Sequence, residues 1–335
     1  MKTVAHDVEQ VSRVQQVCAS ILVFAPLIGV ALSVVAFWDH GISWLDLGLA
    51  VAMYAVTGFG VTVGFHRMLA HHSFRPNRAL KIALAVAGSM AIEGSALIWV
   101  AHHRKHHAYA DREADPHSPW VYGRGVAAQL KGLAHAHIGW LFMYNPPEPE
   151  RWVPDLQSDR DIRIVSRTDA VWFALSMAIP FGIGLAVTGS LYGAWMAFLW
   201  AGVVRVVVLH HVTWGINSLG HMFGSRPFRT RDRSTNVALL CVLSLGDSWH
   251  NGHHAFPTLA RHGVDRGQVD LSAGLIRILE RIGWATDVRW PAAQPLAARR
   301  VNPHVDLTGN LQALGDGGTA QIESRETPVV KTQHG

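Results

Sequence analysis

Cysteine is nearly absent from this chain of 335 residues: Cys18 and Cys241 are the only two. So few exclude a disulfide framework, a Cys-ligated zinc site and an iron–sulfur cluster. Charge is sparse as well, with 16% Asp, Glu, Lys and Arg against about a quarter in soluble domains. Hydrophobic residues make up 49%, an imbalance that points to a bilayer. The chain also lacks a Gly-rich nucleotide-binding turn, a His-Pro-Gly-Gly haem-binding stretch and any nucleic-acid-binding motif. Nucleic acid is therefore not an expected partner, and the net charge of +5 reads as topology plus attraction to anionic headgroups. No Glu is followed three residues later by His, which excludes the paired Glu-x-x-His signature of soluble di-iron bundles.

What is there begins with long apolar runs. Residues 17–38 form an uncharged stretch of 22 residues and residues 47–65 a second, each long enough for a transmembrane helix. Residues 170–204 carry no charge over 35 positions, too long for one crossing, and Thr188-Gly189-Ser190 interrupts them with a turn. The first run is soon followed by another and lacks a clean cleavage site, so it reads as a span and not as a secretory signal. Expected spans are about 17–38, 45–65, 170–187 and 191–212. The stretch 79–100 carries Lys81 and Glu93, charges that are costly at mid-bilayer, and is expected to be one interfacial helix.

Neither turn between the paired spans contains Lys or Arg, whereas 67–167 and 205–300 are rich in both. The positive-inside rule then places both termini and both large loops in the cytoplasm. The expected fold class is an all-α integral membrane protein: four transmembrane helices in two hairpins, with a helical cytoplasmic cap. A short cytoplasmic segment (1–16) precedes the core (17–300), and a polar tail without apolar periodicity (301–335) is expected to be mobile.

Histidine supplies the chemistry. Of 21 histidines, many cluster just past the ends of apolar segments: "HRMLAH" at 66–71, "HRKHH" at 103–107, "NSLGH" at 217–221 and "HNGHH" at 250–254. His103, His106 and His107 stand at i, i+3 and i+4, as do His250, His253 and His254, so each set shares one helix face. Asn217 and His221 are i, i+4. His66 and His71 are i, i+5, and grip one ion only where their helix bends or ends. Neutral imidazole suits iron, zinc, copper and nickel. Nine candidate ligands exceed one tetrahedral site and match two metal ions with four or five ligands each. His6, His40, His262, His304 and His334 read as ordinary hydrogen-bonded residues, and so do His135, His210 and His211.

With the boxes in that order and spacing, the chain resembles the membrane fatty acyl desaturases of the stearoyl-CoA-desaturase-like group, from about the first span to Trp290. "ADPHSP", "HIGW", "NSLGH" and "HHAFP" support the match. The resemblance implies a cap holding two iron ions through His66, His71, His103, His106, His107, His221, His250, His253 and His254, with Asn217 binding through a water. It implies supporting roles for His72, His102, Asp115, His117 and His137, and a substrate channel near Trp99, Trp214, Tyr54 and Gly58. The implied reaction consumes O2 and two electrons and inserts a cis double bond, at the ninth carbon, into a long-chain acyl group. A C–H bond without acidity or leaving group is beyond side-chain acids, bases and nucleophiles, so an iron–oxygen oxidant is required.

Acyl-CoA is the carrier the group suggests. Ala101-His102 stands where acyl-CoA-using relatives often carry Arg-Asp, which leaves an acyl-lipid substrate open; Arg226, Arg229 and Arg231 are candidates to meet phosphates. With no redox cofactor motif of its own, the chain needs a separate ferredoxin-, rubredoxin- or cytochrome-type donor with its reductase, steered by the basic face. Two rival readings are a histidine-box hydroxylase of fatty acids or alkanes, and a metal transporter. A transporter is expected to keep ionisable ligands within its spans, and these lie beyond them.

Overall fold

The computed structural model describes residues 11–36 and 41–301. The expected tail from residue 302, the first ten residues, and His6, His40, His304 and His334 lie outside them. Among the described residues, four helices are long and apolar enough to cross a membrane: Arg13–Val35, Trp44–Ala70, Asp169–Thr188 and Leu191–His221. The first is shifted a few residues toward the N-terminus from its expected place. The second and fourth run several residues beyond their expected ends, so His66 and His221 ride on the spans themselves.

Local chemistry sets these boundaries. Ser43 and Asp46 form a reciprocal cap at the start of the second span. Gly189, at φ 64°, ends the third span, and the Ser190 hydroxyl accepts from Gly193 N–H to start the fourth. That hairpin is tight because a Cβ on Gly184 would stand 2.6 Å from Ala197 Cβ.

The expected single helix over 79–100 is instead two, Arg78–Ser89 and Ala96–Tyr109. The chain turns between them at Ile92 (φ 63°) and Gly94 (φ 103°). The turn is fixed from the membrane side. Met90 carbonyl accepts from Ser176 Oγ (2.6 Å) and Arg205 Nη1 (3.2 Å), and Ala91 carbonyl accepts from His210 Nε2 (2.9 Å). The two charges that argued against a span are both partnered: Lys81 pairs with Asp159 and Asp161, and Glu93 accepts from Trp99 and Thr213.

These helices, with Arg160–Arg167 and Leu271–Arg281, make the cap. Its core joins Val63 and Phe65 of the second span to Leu84, Val100, Ile162 and Ile276. The crossing of the second span over Arg78–Ser89 admits no side chain, since a Cβ on Gly60 would fall 2.1 Å from Gly88 N.

Candidate metal centre

The last eleven residues of the second span, Gly60–Ala70, wind as a π-helix. In that winding, backbone bonds link residues five apart, and His71 N–H donates to His66 carbonyl at 3.2 Å. The i, i+5 spacing that would splay two rings on an α-helix therefore brings them together edge-on, with centroids 5.1 Å apart and planes at 71°. Arg104, inside the second box, ties the box helix to this end by donating to the carbonyls of Leu69 (2.8 Å) and Ala70 (3.3 Å).

The second box lies on Ala96–Tyr109 and the third on His250–Ala255. The non-histidine residues of the third box are fixed by packing. Asn251 exchanges hydrogen bonds with the Phe228 backbone. A Cβ on Gly252 would stand 2.8 Å from His262 carbonyl. Asn236 Oδ1 accepts from the N–H groups of Asn251 and Gly252, which caps this short helix.

Nine rings meet in two groups, within each of which the potential ligand atoms lie inside 4.8 Å of one another: His66, His71, His103, His107 and His253; and His106, His221, His250 and His254. Boxes two and three each contribute to both. Each group is closed by inward Nε2 atoms, with His66 to His253 at 3.0 Å, His71 to His103 at 2.7 Å and His107 to His253 at 2.8 Å in the first. In the second, His250 Nε2 lies 3.0 Å from both His221 and His254.

The outer nitrogens explain the arrangement. Nδ1 of His66, His106, His221 and His254 contacts Asp247, Asp115, Asp111 and Asp232 respectively, at 2.7–3.0 Å. A carboxylate holds the proton on Nδ1 and leaves Nε2 as a bare lone pair. Three such lone pairs, from His106, His221 and His254, therefore converge in the four-histidine group. Facing lone pairs repel, and a cation between them removes the conflict. Burial first, and neighbouring rings second, keep His103, His107, His250 and His253 well below the usual imidazole range. They are neutral donors at physiological pH, and the donor set fits two transition-metal ions.

Two cavities reach the centre, and both are lined by Trp99, His103, Thr213 and Asn217. The first is apolar, running down to Gly58, Val61, Leu209 and Leu245 between the second and fourth spans. The second adds Leu22, Trp140 and Trp214 with the polar Glu93, His102 and His117. Trp99 stacks on His103 with planes 17° apart, and its indole N–H donates to Glu93 at 3.0 Å. Burial pushes the Glu93 carboxyl up to about 7.

Of the remaining expected residues, Gly58 lines the apolar cavity, while Tyr54 donates its hydroxyl to Leu243 carbonyl at 2.6 Å. Asp115 and His117 both sit against His106, and His137 contacts Ser218 and His211. Arg226 folds onto the backbone of Asp232 and Ser234. His135 and His210 contact backbone carbonyls, as expected of ordinary buried histidines.

His262 departs from that expectation. It is fully buried, 4.4 Å from the His253 ring and 5.2 Å from His66, with Nδ1 3.4 Å from Asp247. Asp111, Asp232, Asp247 and Glu93 also escaped the sequence reading. Asp111, Asp232 and Asp247 reach the rings they contact from 110, 22 and 181 residues away, and Glu93 meets Trp99 six residues on and Thr213 across the fold.

A family model described as fatty acid desaturase matches residues 42–275. The chain is 39% identical over 255 residues to Delta-9 acyl-lipid desaturase 1 of Arabidopsis thaliana, covering 75% of this chain and 77% of that protein. It is 37% identical over 278 residues to Hex-5-enoyl-[acyl-carrier protein] acetylenase of Moorena producens (strain JHB), covering 82% and 87%. It is 34% identical over 257 residues to sn-1 stearoyl-lipid 9-desaturase of Anabaena variabilis, covering 76% and 88%.

Proposed function

The chain belongs to the fatty acid desaturase family and is an oxidoreductase that introduces double bonds into fatty acyl chains; we propose that it makes a cis double bond at the ninth carbon of a saturated long chain carried by a membrane lipid. The observation that carries this reading is the pair of cavities meeting at Trp99, His103, Thr213 and Asn217. An acyl chain laid through both bends beside the two histidine groups, so one carbon pair is presented and the rest is held away. Ala101 and His102 are packed inward, His102 edge-on to Trp140, and offer no charge to a coenzyme A phosphate. That supports the lipid carrier over acyl-CoA, as do the names of two relatives, a stearoyl-lipid and an acyl-lipid desaturase.

We assign iron to both groups, with Asn217 holding a water beside the four-histidine one. When bound, the iron pair supplies reduction of O2 to two waters, using two electrons from the acyl C–H bonds and two from an external donor. The protein's part is positioning and insulation. Asp111, Asp115, Asp232 and Asp247 keep protons on the outer nitrogens, so the rings cannot turn. Trp99, held by Glu93 and backed by His103, forms a flat wall at the elbow. The apolar lining excludes water from the carbon pair.

Electrons come from a separate ferredoxin-, rubredoxin- or cytochrome-type protein. The exposed Arg229, Arg231 and Arg233 flank Asp232 and His254, where an acidic donor approaches the four-histidine group. We place this face in the cytoplasm.

The test is lipid analysis of cells co-expressing the chain and a ferredoxin system, with a His253→Ala, His254→Ala control. A ninth-carbon monoene in the parent alone, found first in glycerolipid and not in acyl-CoA, is expected. A hydroxy acid would transfer the assignment to the hydroxylase reading. A monoene arising first in the acyl-CoA pool would overturn the lipid carrier.

A further inference from the structure

Between the fourth span and the third box, residues 236–246 read NVALLCVLSLG, eleven positions without a charge. Part of it faces outward: Leu239 is 91% exposed, Val242 57% and Leu243 47%. In water this would be a costly surface. Its neighbours explain it. Leu243 carbonyl accepts from the Tyr54 hydroxyl, and Tyr54 lies twelve residues before His66 on a continuous helix. At 1.5 Å per residue over the α-helical part and less over the π-wound part from Gly60, its backbone is about 15 Å to the membrane side of the histidines. One turn along, a Cβ on Gly58 would touch Leu245 at 2.9 Å, and Gly215 on the fourth span faces Leu240. The segment therefore descends between the second and fourth spans, well below the metal centre.

Its backbone suits that depth. Leu240, Cys241, Ser244, Leu245 and Gly246 donate their N–H groups to Val237, Ala238, Leu240, Val242 and Cys241, so much of the backbone is paired within the segment, which lowers the cost of placing it in a bilayer. One side of the segment faces outward through Leu239 and Val242. The other lines the apolar cavity through Leu243, Ser244 and Leu245. A single thickness of chain thus separates the cavity from the surrounding lipid, and the Tyr54 hydroxyl ties it to the second span.

We propose that residues 237–246 form a re-entrant segment immersed in the leaflet on the histidine side, and that it is a lateral gate through which a lipid acyl chain passes from the bilayer into the cavity. The second half rests on the lipid-carrier reading; the first does not. Entry along this route keeps the chain in hydrocarbon throughout, whereas entry through the cap would carry it across water.

The immersion is tested on full-length protein in phosphatidylcholine nanodiscs, with Cys18 and Cys241 replaced by Ser and a bimane label on Leu239→Cys. Quenching by doxyl-labelled phospholipid acyl chains and insensitivity to aqueous iodide is the expected result; the reverse pattern overturns the immersion. The gate is tested without turnover, using a phospholipid with a diazirine in mid-chain. Photolabelling is expected at the cavity residues Val61 and Val212. Pinning the segment to the fourth span, through Gly215→Cys and Leu240→Cys joined by a short cleavable bismaleimide, is expected to reduce that labelling several-fold and to restore it on cleavage. Undiminished cavity labelling with the segment pinned overturns the gate. Because neither readout needs catalysis, both stand apart from the identity of the reaction.

Discussion

The nine rings differ in which of the two groups they join even when adjacent in sequence. His253 faces the five-histidine group and His254 the four-histidine group, because successive residues on a helix point about 100° apart. His253→Ala should therefore lower metal content from two ions per chain toward one, measured by elemental analysis after dialysis. Retention of both ions would remove His253 from the ligand set. The carboxylates act one step out. Asp232→Ala removes the partner of His254 Nδ1 and should weaken the four-histidine group's affinity about 10–100-fold, with the five-histidine ion retained in a chelator competition.

Glu93 is a different case, since its carboxyl is raised by burial and not stabilised as an anion. Its folded pKa of about 7 lies above the ordinary carboxylate value, so folding favours the protonated form. That contribution is complete at pH below the ordinary value and is lost as pH rises through about 7. The penalty at pH 8 is about 3 kcal/mol. Glu93→Gln keeps an acceptor for Trp99 and should raise the thermal midpoint at pH 8, with the gain shrinking toward pH 5. An equal gain at both values would show that Glu93 is not the titrating group.

At the scale of elements, the site depends on two departures from the regular α-helix. The π winding of Gly60–Ala70 aligns His66 with His71. The turn at Ile92 and Gly94 lets Ala96–Tyr109 leave the line of Arg78–Ser89 and aim the second box at the first. Neither is visible in apolar periodicity. The winding answers to the crossing at Gly60 and Gly88, and the turn answers to donors on the third and fourth spans. Gly60→Ala places a methyl against Gly88 backbone, and such overpacking costs about 1–3 kcal/mol. A lowered thermal midpoint together with lost activity is expected, while Gly182→Ala, with open space around it, should change neither.

At the scale of the whole molecule, the proposed metal ions would be structural as well as catalytic. The histidines of each group come from segments far apart in sequence, so two ions held there would cross-link the second and fourth spans, the cap helix and the third box. Iron binding should stabilise the fold by about 4 kcal/mol at a free concentration a thousandfold above the dissociation constant. Chelator-stripped protein is accordingly expected to melt earlier and to recover on adding ferrous iron. In the double variant His106→Ala, His253→Ala that recovery should disappear; a persistent shift would place the stabilising metal elsewhere.

Sequence alone determined the class and the histidine-rich character of the site. Three uncharged runs, the longest divided by a turn, demand four helices in a bilayer, and paired H-x-x-H-H spacings put three imidazoles on one helix face whatever the fold around them. What only tertiary structure decided was everything that depends on partners remote in the chain. It divided the rings five and four, and it recruited Asp111 and Asp232 from positions about 110 and 22 residues from the rings they hold. It buried His262 against His66 and His253, and it folded an apolar loop down beside Tyr54. Spacing encodes direction over a turn or two of helix. Which lone pairs finally face one another is fixed by the packing of whole helices, and no local pattern carries that information.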